Sequence, residues 1–235
     1  MITLRPAIER GFADHGWLLA RHSFSFAEYY DPEQMGWGVL RVINEDRVAP
    51  GTGFGMHGHR DMEIVTYILS GALEHKDSLG HGGVIRRGEV QRMTAGKGIL
   101  HSEFNPSASE PTHLLQIWIE PAQRGTPASY EQQPLPLEEM LGRWRLVASP
   151  DGASGSTRIG QDARLWASVL PAGETLDYEL QPGRLAYVQM IRGQLAVNGQ
   201  KLAAGDGAKV ANEVRLSFEA DAESEFLLFD LPPAQ

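Results

Sequence analysis

The stretch that decides the fold class is Glu63-Ile-Val-Thr-Tyr-Ile-Leu-Ser-Gly-Ala-Leu73. This short apolar run is rich in β-branched and aromatic residues, and it resumes directly after a glycine, which predicts two strands joined by a tight turn. Similar runs lie between Gly and Pro residues at 38–43, 114–119, 165–170, 185–191 and 225–230. Helix signals are limited to a turn or two at 137–142. The sequence therefore predicts an all-β protein, either a sandwich or a barrel.

The same pattern returns in the second half of the chain. Tyr67-Ile-Leu-Ser-Gly-Ala-Leu73 resembles Gln189-Met-Ile-Arg-Gly-Gln-Leu195. Downstream of each copy, Gly88-Glu-Val90 matches Gly205-Asp-Gly207, so the order of the segments is the same in both halves. Two copies of one β unit explain this order. We predict a first domain at residues 1–135, a linker at 136–155 that is rich in Pro, Gly and Ser, and a second domain at 156–235. Asn198-Gly199 predicts a type I′ hairpin turn.

Composition excludes several classes of function. The 235 residues contain no cysteine, which excludes disulfides, zinc–thiolate sites, iron–sulfur clusters and cysteine nucleophiles. The net charge is −9 and the longest basic cluster is Arg86–Arg87, so we expect no direct contact with nucleic acid. No apolar stretch reaches 18 residues and the start lacks a secretory apolar core. We therefore expect a cytoplasmic protein that does not span a membrane.

Histidines are concentrated in the first half of the chain. Of the eight, five fall between 57 and 101 and none follows 113. In His57-Gly-His59 the two imidazoles share one face of a strand, and Glu63 has the same parity if the strand has no bulge. In His101-Ser-Glu103 an imidazole and a carboxylate share a face. This pattern predicts one metal site in the first unit, with nitrogen and oxygen donors that suit iron, nickel, cobalt, copper or manganese.

The remaining histidines are interpreted as lying outside the ligand set. His75 and His81 flank residues 76–80, which look like a turn, so we expect both on a loop. His22 is interpreted as a packed residue at a sheet edge, and His113, which precedes an apolar run, as structural.

The spacing Gly51-x5-His57-x-His59-x3-Glu63-x7-Gly71 resembles the first cupin motif, with one extra residue before its last glycine. Gly98-x2-His101-x3-Asn105 resembles the end of the second motif. That motif's usual proline is missing here, and its opening glycine, Gly88, sits two residues early. More specifically, His57-Gly-His-Arg-Asp-Met-Glu-Ile-Val-Thr-Tyr67 and Met93-Thr-Ala-Gly-Lys-Gly-Ile-Leu-His-Ser-Glu103 resemble the pirin family. Residues 22–32 resemble the short bacterial pirin-like quercetinases, and the likeness extends to 226–233.

The resemblance implies a bicupin, in which two cupin β-barrels face each other and only the N-terminal one holds metal. General cupins use the glutamate of the first motif as a ligand, whereas pirin-like proteins use the glutamate two residues after the third histidine. The implied ligands are therefore His57, His59, His101 and Glu103, with Glu63 behind them. The implied cofactor is one divalent transition metal ion, expected to be iron, with nickel, cobalt, copper, manganese or zinc as alternatives.

The implied activity is cleavage of a flavonol such as quercetin by O2 with release of carbon monoxide. Glu103 or Glu63 would accept the proton of the flavonol hydroxyl, and Phe54 and Met56 are candidates to line the substrate site. The pirin family also includes regulators of transcription factors and metabolic enzymes. The alternative function is therefore a metal-bound regulatory protein with a protein partner.

Overall fold

The structure, a computed structural model, describes residues 1–233 and consists largely of β-strands, which confirms the predicted all-β class. Residues 234–235, the end of the predicted second domain, lie outside the described residues. Short 3₁₀ helices occur at Ala7–Glu9, Leu137–Glu139 and Ala153–Gly155. In the described part of the chain, no helix combines the length and the apolar character needed to span a membrane.

The strands are numbered in chain order. The first twelve are β1 (Ile2–Arg5), β2 (Gly11–Asp14), β3 (Leu18–His22), β4 (Leu40–Val48), β5 (Gly53–His59), β6 (Glu63–Ser70), β7 (Ala72–Asp77), β8 (Gly82–Arg86), β9 (Glu89–Thr94), β10 (Ile99–Phe104), β11 (Thr112–Ile119) and β12 (Ser129–Pro134). The others are β13 (Arg145–Ser149), β14 (Thr157–Arg158), β15 (Arg164–Leu170), β16 (Thr175–Glu179), β17 (Leu185–Arg192), β18 (Gln194–Val197), β19 (Gln200–Ala203), β20 (Gly207–Val210), β21 (Arg215–Ala220) and β22 (Ser224–Leu231).

The N-terminal unit comprises residues 11–135 and 157–161. Its larger sheet has the strand order β12-β9-β6-β11-β4-β3-β2, and its smaller sheet has the order β5-β10-β7-β8. Strands of the two sheets share one hydrophobic cluster, to which the larger sheet contributes Ile68 and Leu114 and the smaller sheet contributes Leu73 and Ile85. Each predicted barrel is thus built as two separate sheets with apolar faces packed together.

The C-terminal unit comprises residues 1–10, 136–156 and 162–233. One of its sheets has the order β1-β20-β17-β22-β15-β13, and the other has the order β16-β21-β18-β19. Except for β2, this order repeats that of the N-terminal unit, with β17 in the place of β6 and β18 in the place of β7. The core of this unit is aromatic and aliphatic, and the rings of Phe218 and Phe226 stack with centroids 5.1 Å apart.

The predicted repeat is therefore visible as a repeated topology. Two glycines at equivalent turns explain why the strand–Gly–strand sequence pattern is present in both units. Gly71 joins β6 to β7 with a φ of 76°, and Gly193 joins β17 to β18 with a φ of 85°. A Cβ at Gly71 would lie 2.8 Å from the carbonyl oxygen of Pro111, so a side chain is excluded there as well as strained. Asn198 and Gly199 have φ of 46° and 79° between β18 and β19, as the predicted hairpin turn requires.

The boundaries of the two units differ from the predicted ranges. Residues 1–10 belong to the C-terminal unit, because β1 pairs with β20, and residues 157–161 belong to the N-terminal unit. The segment 136–155 is not an open linker, since it contains a 3₁₀ helix and β13, which pairs with β15. Local composition identifies breaks between strands, but pairing with a distant strand decides which unit a segment joins.

Candidate metal centre

Three imidazoles converge in the N-terminal unit. On neighbouring strands β5 and β10, His57 lies directly opposite His101, and His59 lies opposite Ile99. The Nε2 atom of His101 is 3.0 Å from Nε2 of His57 and 2.9 Å from Nε2 of His59. Hydrogen bonds among three ring nitrogens cannot satisfy all of them at once, whereas one cation accepts a lone pair from each. This donor set fits a transition metal ion.

Hydrogen bonds on the far side of the rings favour the tautomer that metal binding needs. Nδ1 of His57 donates to the carbonyl oxygen of Gly55 at 2.7 Å, which leaves its Nε2 lone pair free. Nε2 of His75 donates to a carboxylate oxygen of Asp77 at 3.1 Å, so Nδ1 of a neutral His75 is an acceptor. That atom lies 3.5 Å from Nδ1 of His101, which can then carry the proton and present its own Nε2 lone pair.

The prediction that His75 lies on a loop is wrong. His75 is on β7 and is fully buried, and its ring stacks on Tyr130 with centroids 4.7 Å apart. Strand β7 runs on to Asp77, so the residues interpreted as a turn begin inside the strand. His81 does lie between β7 and β8, as predicted, with its Nδ1 atom 3.2 Å from an oxygen of Asp77.

Burial keeps the central imidazoles neutral. Burial, reinforced by the charge on His57, lowers the pKa of His59 to about 4. Burial, followed by the charges on His57 and His59, lowers the pKa of His101 to about 2. Both rings are therefore unprotonated at neutral pH, which is the form that binds a metal.

Glu103 lies next to the imidazoles. It pairs with His75 between β10 and β7, and its carboxylate, His75 and His101 offer ligand atoms that all lie within 4.8 Å of one another. The side-chain nitrogen of Gln116 donates to both carboxylate oxygens, at 3.2 and 3.0 Å. Burial raises the pKa of Glu103 to about 7, and the hydrogen bonds from Gln116 oppose that rise. The carboxyl therefore exchanges its proton near neutral pH.

Glu63 lies apart from this cluster. The expectation that it continues the strand face of His57 and His59 is wrong, because β5 ends at His59 and the chain turns at Asp61, with a φ of 50°, before β6 begins in the larger sheet. Glu63 is buried and accepts a hydrogen bond of 2.7 Å from the hydroxyl of Thr94. Burial raises its pKa. Among residues 1–233, the groups of His and carboxylate side chains compact enough for a metal do not include it.

A row of polar side chains crosses the larger sheet and contacts the cluster at two points. The members lie opposite one another on adjacent strands, in the order His22, Asn44, Gln116, Thr66 and Gln91. We call this set the polar row. Its hydrogen bonds include His22 to Asn44 at 2.8 Å and Thr66 to Gln116 at 2.9 Å. Gln116 reaches the carboxylate of the site, and Gln91 reaches the buried histidine on β7 at 3.2 Å.

Sequence analysis missed the polar row, although one signal was present. Gln116 is the only polar residue in the apolar run 114–119, and a lone amide on an inward-facing strand position needs a buried partner. His22 is buried, as predicted for a packed residue, but the prediction that it lies at a sheet edge is wrong, because β3 has β4 on one side and β2 on the other. His113, interpreted as structural, lies 2.9 Å from a carboxylate oxygen of Glu45.

An aromatic cavity of about 720 Å³ borders the cluster. Its lining includes Phe12, Trp17, Phe26, Tyr29 and Phe54, together with polar residues such as His15 and His22. The ring centroid of Phe54 is 6.3 Å from that of His57. Phe54 was predicted to line a substrate site and does line this cavity. Met56, predicted with it, is not among the lining residues and is 60% exposed.

Comparison with known proteins places the chain in a family. A sequence profile described as Pirin matches residues 4–119, and one described as Quercetinase C-terminal cupin domain matches residues 146–231. A protein of Escherichia coli K12 named quercetin 2,3-dioxygenase is 47% identical over 99% of this chain and 100% of its own length. A protein of Caulobacter vibrioides named pirin-like protein is 44% identical over 98% of this chain and 99% of its own length.

Solved structures agree over the whole chain. The crystal structure of YhhW from Escherichia coli superposes with a TM-score of 0.96 at 46% identity and covers 100% of this chain and 99% of that one. The bacterial pirin YhhW in complex with nickel(II) superposes with a TM-score of 0.95, again at 46% identity, and covers 99% of this chain and 100% of that one. With identity near one half over the full length and the same two-unit fold, the chain belongs to the pirin family of bicupins.

Proposed function

We propose that this pirin is a metal-dependent dioxygenase that cleaves a flavonol such as quercetin with O2 and releases carbon monoxide. The observation that carries the proposal is the position of Nε2 of His101 within 3.0 Å of Nε2 of both His57 and His59, beside a buried carboxyl and at the border of an aromatic cavity. The name of the Escherichia coli relative, quercetin 2,3-dioxygenase, supports this reaction.

In this proposal, His57, His59, His101 and Glu103 hold one divalent transition metal ion. Iron is the expected ion, and the nickel(II) complex of the Escherichia coli relative supports nickel as an alternative. When bound, such an ion stabilises the anion of a deprotonated hydroxyl and brings O2 and the activated ring together. The contacts of Glu63 with Thr94 support a structural role for that residue rather than the catalytic role predicted beside Glu103.

The side chains supply binding and proton transfer. The carboxyl of Glu103 lies beside His101 and would take the proton of a flavonol hydroxyl. Gln116 holds both oxygens of that carboxyl and so fixes its orientation. The aromatic walls of the cavity suit a flat ring system and exclude water from it.

The deciding experiment measures carbon monoxide. Protein loaded with Fe²⁺ or Ni²⁺ is mixed with quercetin and O2, and we expect one carbon monoxide for each quercetin and each O2 consumed. The control is His101→Ala under the same conditions, because quercetin also oxidises spontaneously without an enzyme. Carbon monoxide no higher than in the control, with every ion tried, would overturn the proposal. Metal binding without this product would favour the regulatory alternative.

A further inference from the structure

Asp46 is a buried carboxyl that the proposed site does not use. It lies on β4, its side chain is 5% exposed, and it lines the aromatic cavity. Its Oδ1 atom has no hydrogen-bond partner among residues 1–233. Buried polar atoms are nearly always hydrogen-bonded in folded proteins, so we expect this oxygen to form a hydrogen bond with a molecule from outside the chain.

The residues opposite Asp46 on the neighbouring strands offer no such partner. Across the sheet it lies opposite Ala20 on β3 and Leu114 on β11, both apolar and buried. On the cavity side the neighbouring walls are aromatic, and Trp17 and Phe54 meet edge to face with centroids 5.1 Å apart. Polar side chains, among them His22 and Asn44, also line the cavity. The Oδ1 atom of Asp46 is thus an unpaired buried acceptor beside aromatic rings, and such polar groups fix the orientation of a flat molecule in ligand pockets.

The position of Asp46 relative to the metal cluster limits what it can bind. Asn44 lies two residues earlier on the same face of β4 and opposite Gln116, the residue that donates to Glu103. Two residues of strand advance about 7 Å, so Asp46 lies about that far along the sheet from the level of Gln116, which contacts the metal-site carboxylate. A fused ring system with one hydroxyl at the metal site can present a second hydroxyl at that distance.

We propose that Asp46 determines substrate specificity by accepting a hydrogen bond from a phenol hydroxyl of the flavonol other than the hydroxyl at the reacting ring. This inference rests on the proposed function. A flavonol without the second hydroxyl leaves the buried oxygen unpaired, and sites built to hydrogen-bond a hydroxyl discriminate strongly against analogues that lack it. The substrate class is therefore polyhydroxylated flavonols.

The test compares two ligands under anaerobic conditions, so that binding is measured without turnover. Ni²⁺-loaded protein is titrated with quercetin and with 3-hydroxyflavone, which has only the reacting hydroxyl. We expect Asp46→Leu and Asp46→Ala to weaken quercetin binding by about 5- to 100-fold and to leave 3-hydroxyflavone binding unchanged. Asp46→Asn retains an acceptor oxygen and should largely restore quercetin binding. The matched control is Glu45→Gln, which removes a carboxylate from the adjacent position and should bind both ligands as the wild type does.

The outcomes separate the two proposals. Equal weakening of both ligands in Asp46→Leu and Asp46→Ala would mean that Asp46 only shapes the cavity, and unchanged quercetin binding would mean that it meets no ligand. Either result overturns the inference. If Asp46→Leu and Asp46→Ala weaken the binding of quercetin alone but the wild type releases no carbon monoxide in air, the proposed function fails and the role of Asp46 stands. Wild-type protein that binds neither flavonol would overturn both.

Discussion

The replacement Gln116→Leu tests how the sheet controls the metal site. Leucine fills a similar volume but cannot donate to Glu103, whose two oxygens now receive hydrogen bonds of 3.0 and 3.2 Å. It also removes the acceptor for the hydroxyl of Thr66. Both groups left behind are buried, so water does not replace the lost partner.

The size of the effect follows from the pKa of Glu103. Hydrogen bonds to a charged group contribute about 1.5–3 kcal/mol, so their loss raises the pKa of Glu103 from about 7 by a further one to two units, roughly. At pH 7 the ionised fraction then falls by a factor of about 5 to 50, and metal affinity falls with it because only the carboxylate binds metal. At pH 8.5 the same rise in pKa lowers the ionised fraction of Glu103, and with it the metal affinity, by only about one- to fourfold.

The assay is competition between the protein and a chromophoric chelator for Ni²⁺ at pH 6.5, 7.5 and 8.5. The control is Thr66→Val, which removes the hydroxyl next to Gln116 without touching Glu103 and should cost less than about fivefold in affinity. An affinity loss in Gln116→Leu that stays constant across this pH range would show that protonation of Glu103 is not the cause.

Three further predictions concern neighbouring groups. Elemental analysis should find one transition metal ion per chain, whereas His101→Ala should retain none and keep its circular dichroism spectrum; two ions of similar affinity would contradict a single site. Glu103→Gln should weaken metal binding and Glu63→Gln should not, and metal titration showing the reverse would exchange their roles. Since burial, then the charges of nearby carboxylates, raise the pKa of Asp46 from 3.8 to about 8, the native state holds a proton that the unfolded chain releases. The unfolding free energy of metal-free wild type should therefore fall relative to Asp46→Asn as pH rises from 4 to 8, by up to about 1.4 kcal/mol per pH unit. Urea unfolding at three pH values checks this, and parallel pH curves would disprove it.

Local signals were enough for the strands and the imidazoles. Gly71 and Gly193 mark equivalent turns because only glycine fits there, so the repeat stays readable although the surrounding residues have changed. His57, His59 and His101 obey the two-residue period of a strand, and neighbouring strands then bring them together. Both inferences depend on geometry within a few residues of the chain.

What the sequence did not reveal depends on register between distant strands. Gln116 and His75 reach the site only because β11 and β7 are aligned with the strands beside them, and a shift of one residue would turn them outward. The prediction for Glu63 was wrong for a local reason. Its even spacing from His57 and His59 is that of one strand face, but a turn at Asp61 interrupts the strand. The membership of residues 1–10 likewise depends on β20, about 200 residues away.

That last pairing sets an order of events during protein synthesis. Strand β1 is synthesised before the other described strands, yet its hydrogen-bonding partner is Gly207–Val210. At about 5–20 residues per second, a ribosome adds the intervening 200 or so residues in about 10–40 seconds. Throughout that time Ile2–Arg5 has no partner strand with which to pair. Residues 11–135, by contrast, contain nearly all of their own pairing partners. Ile2–Arg5 therefore waits for its pairing partner until about 200 further residues have been translated.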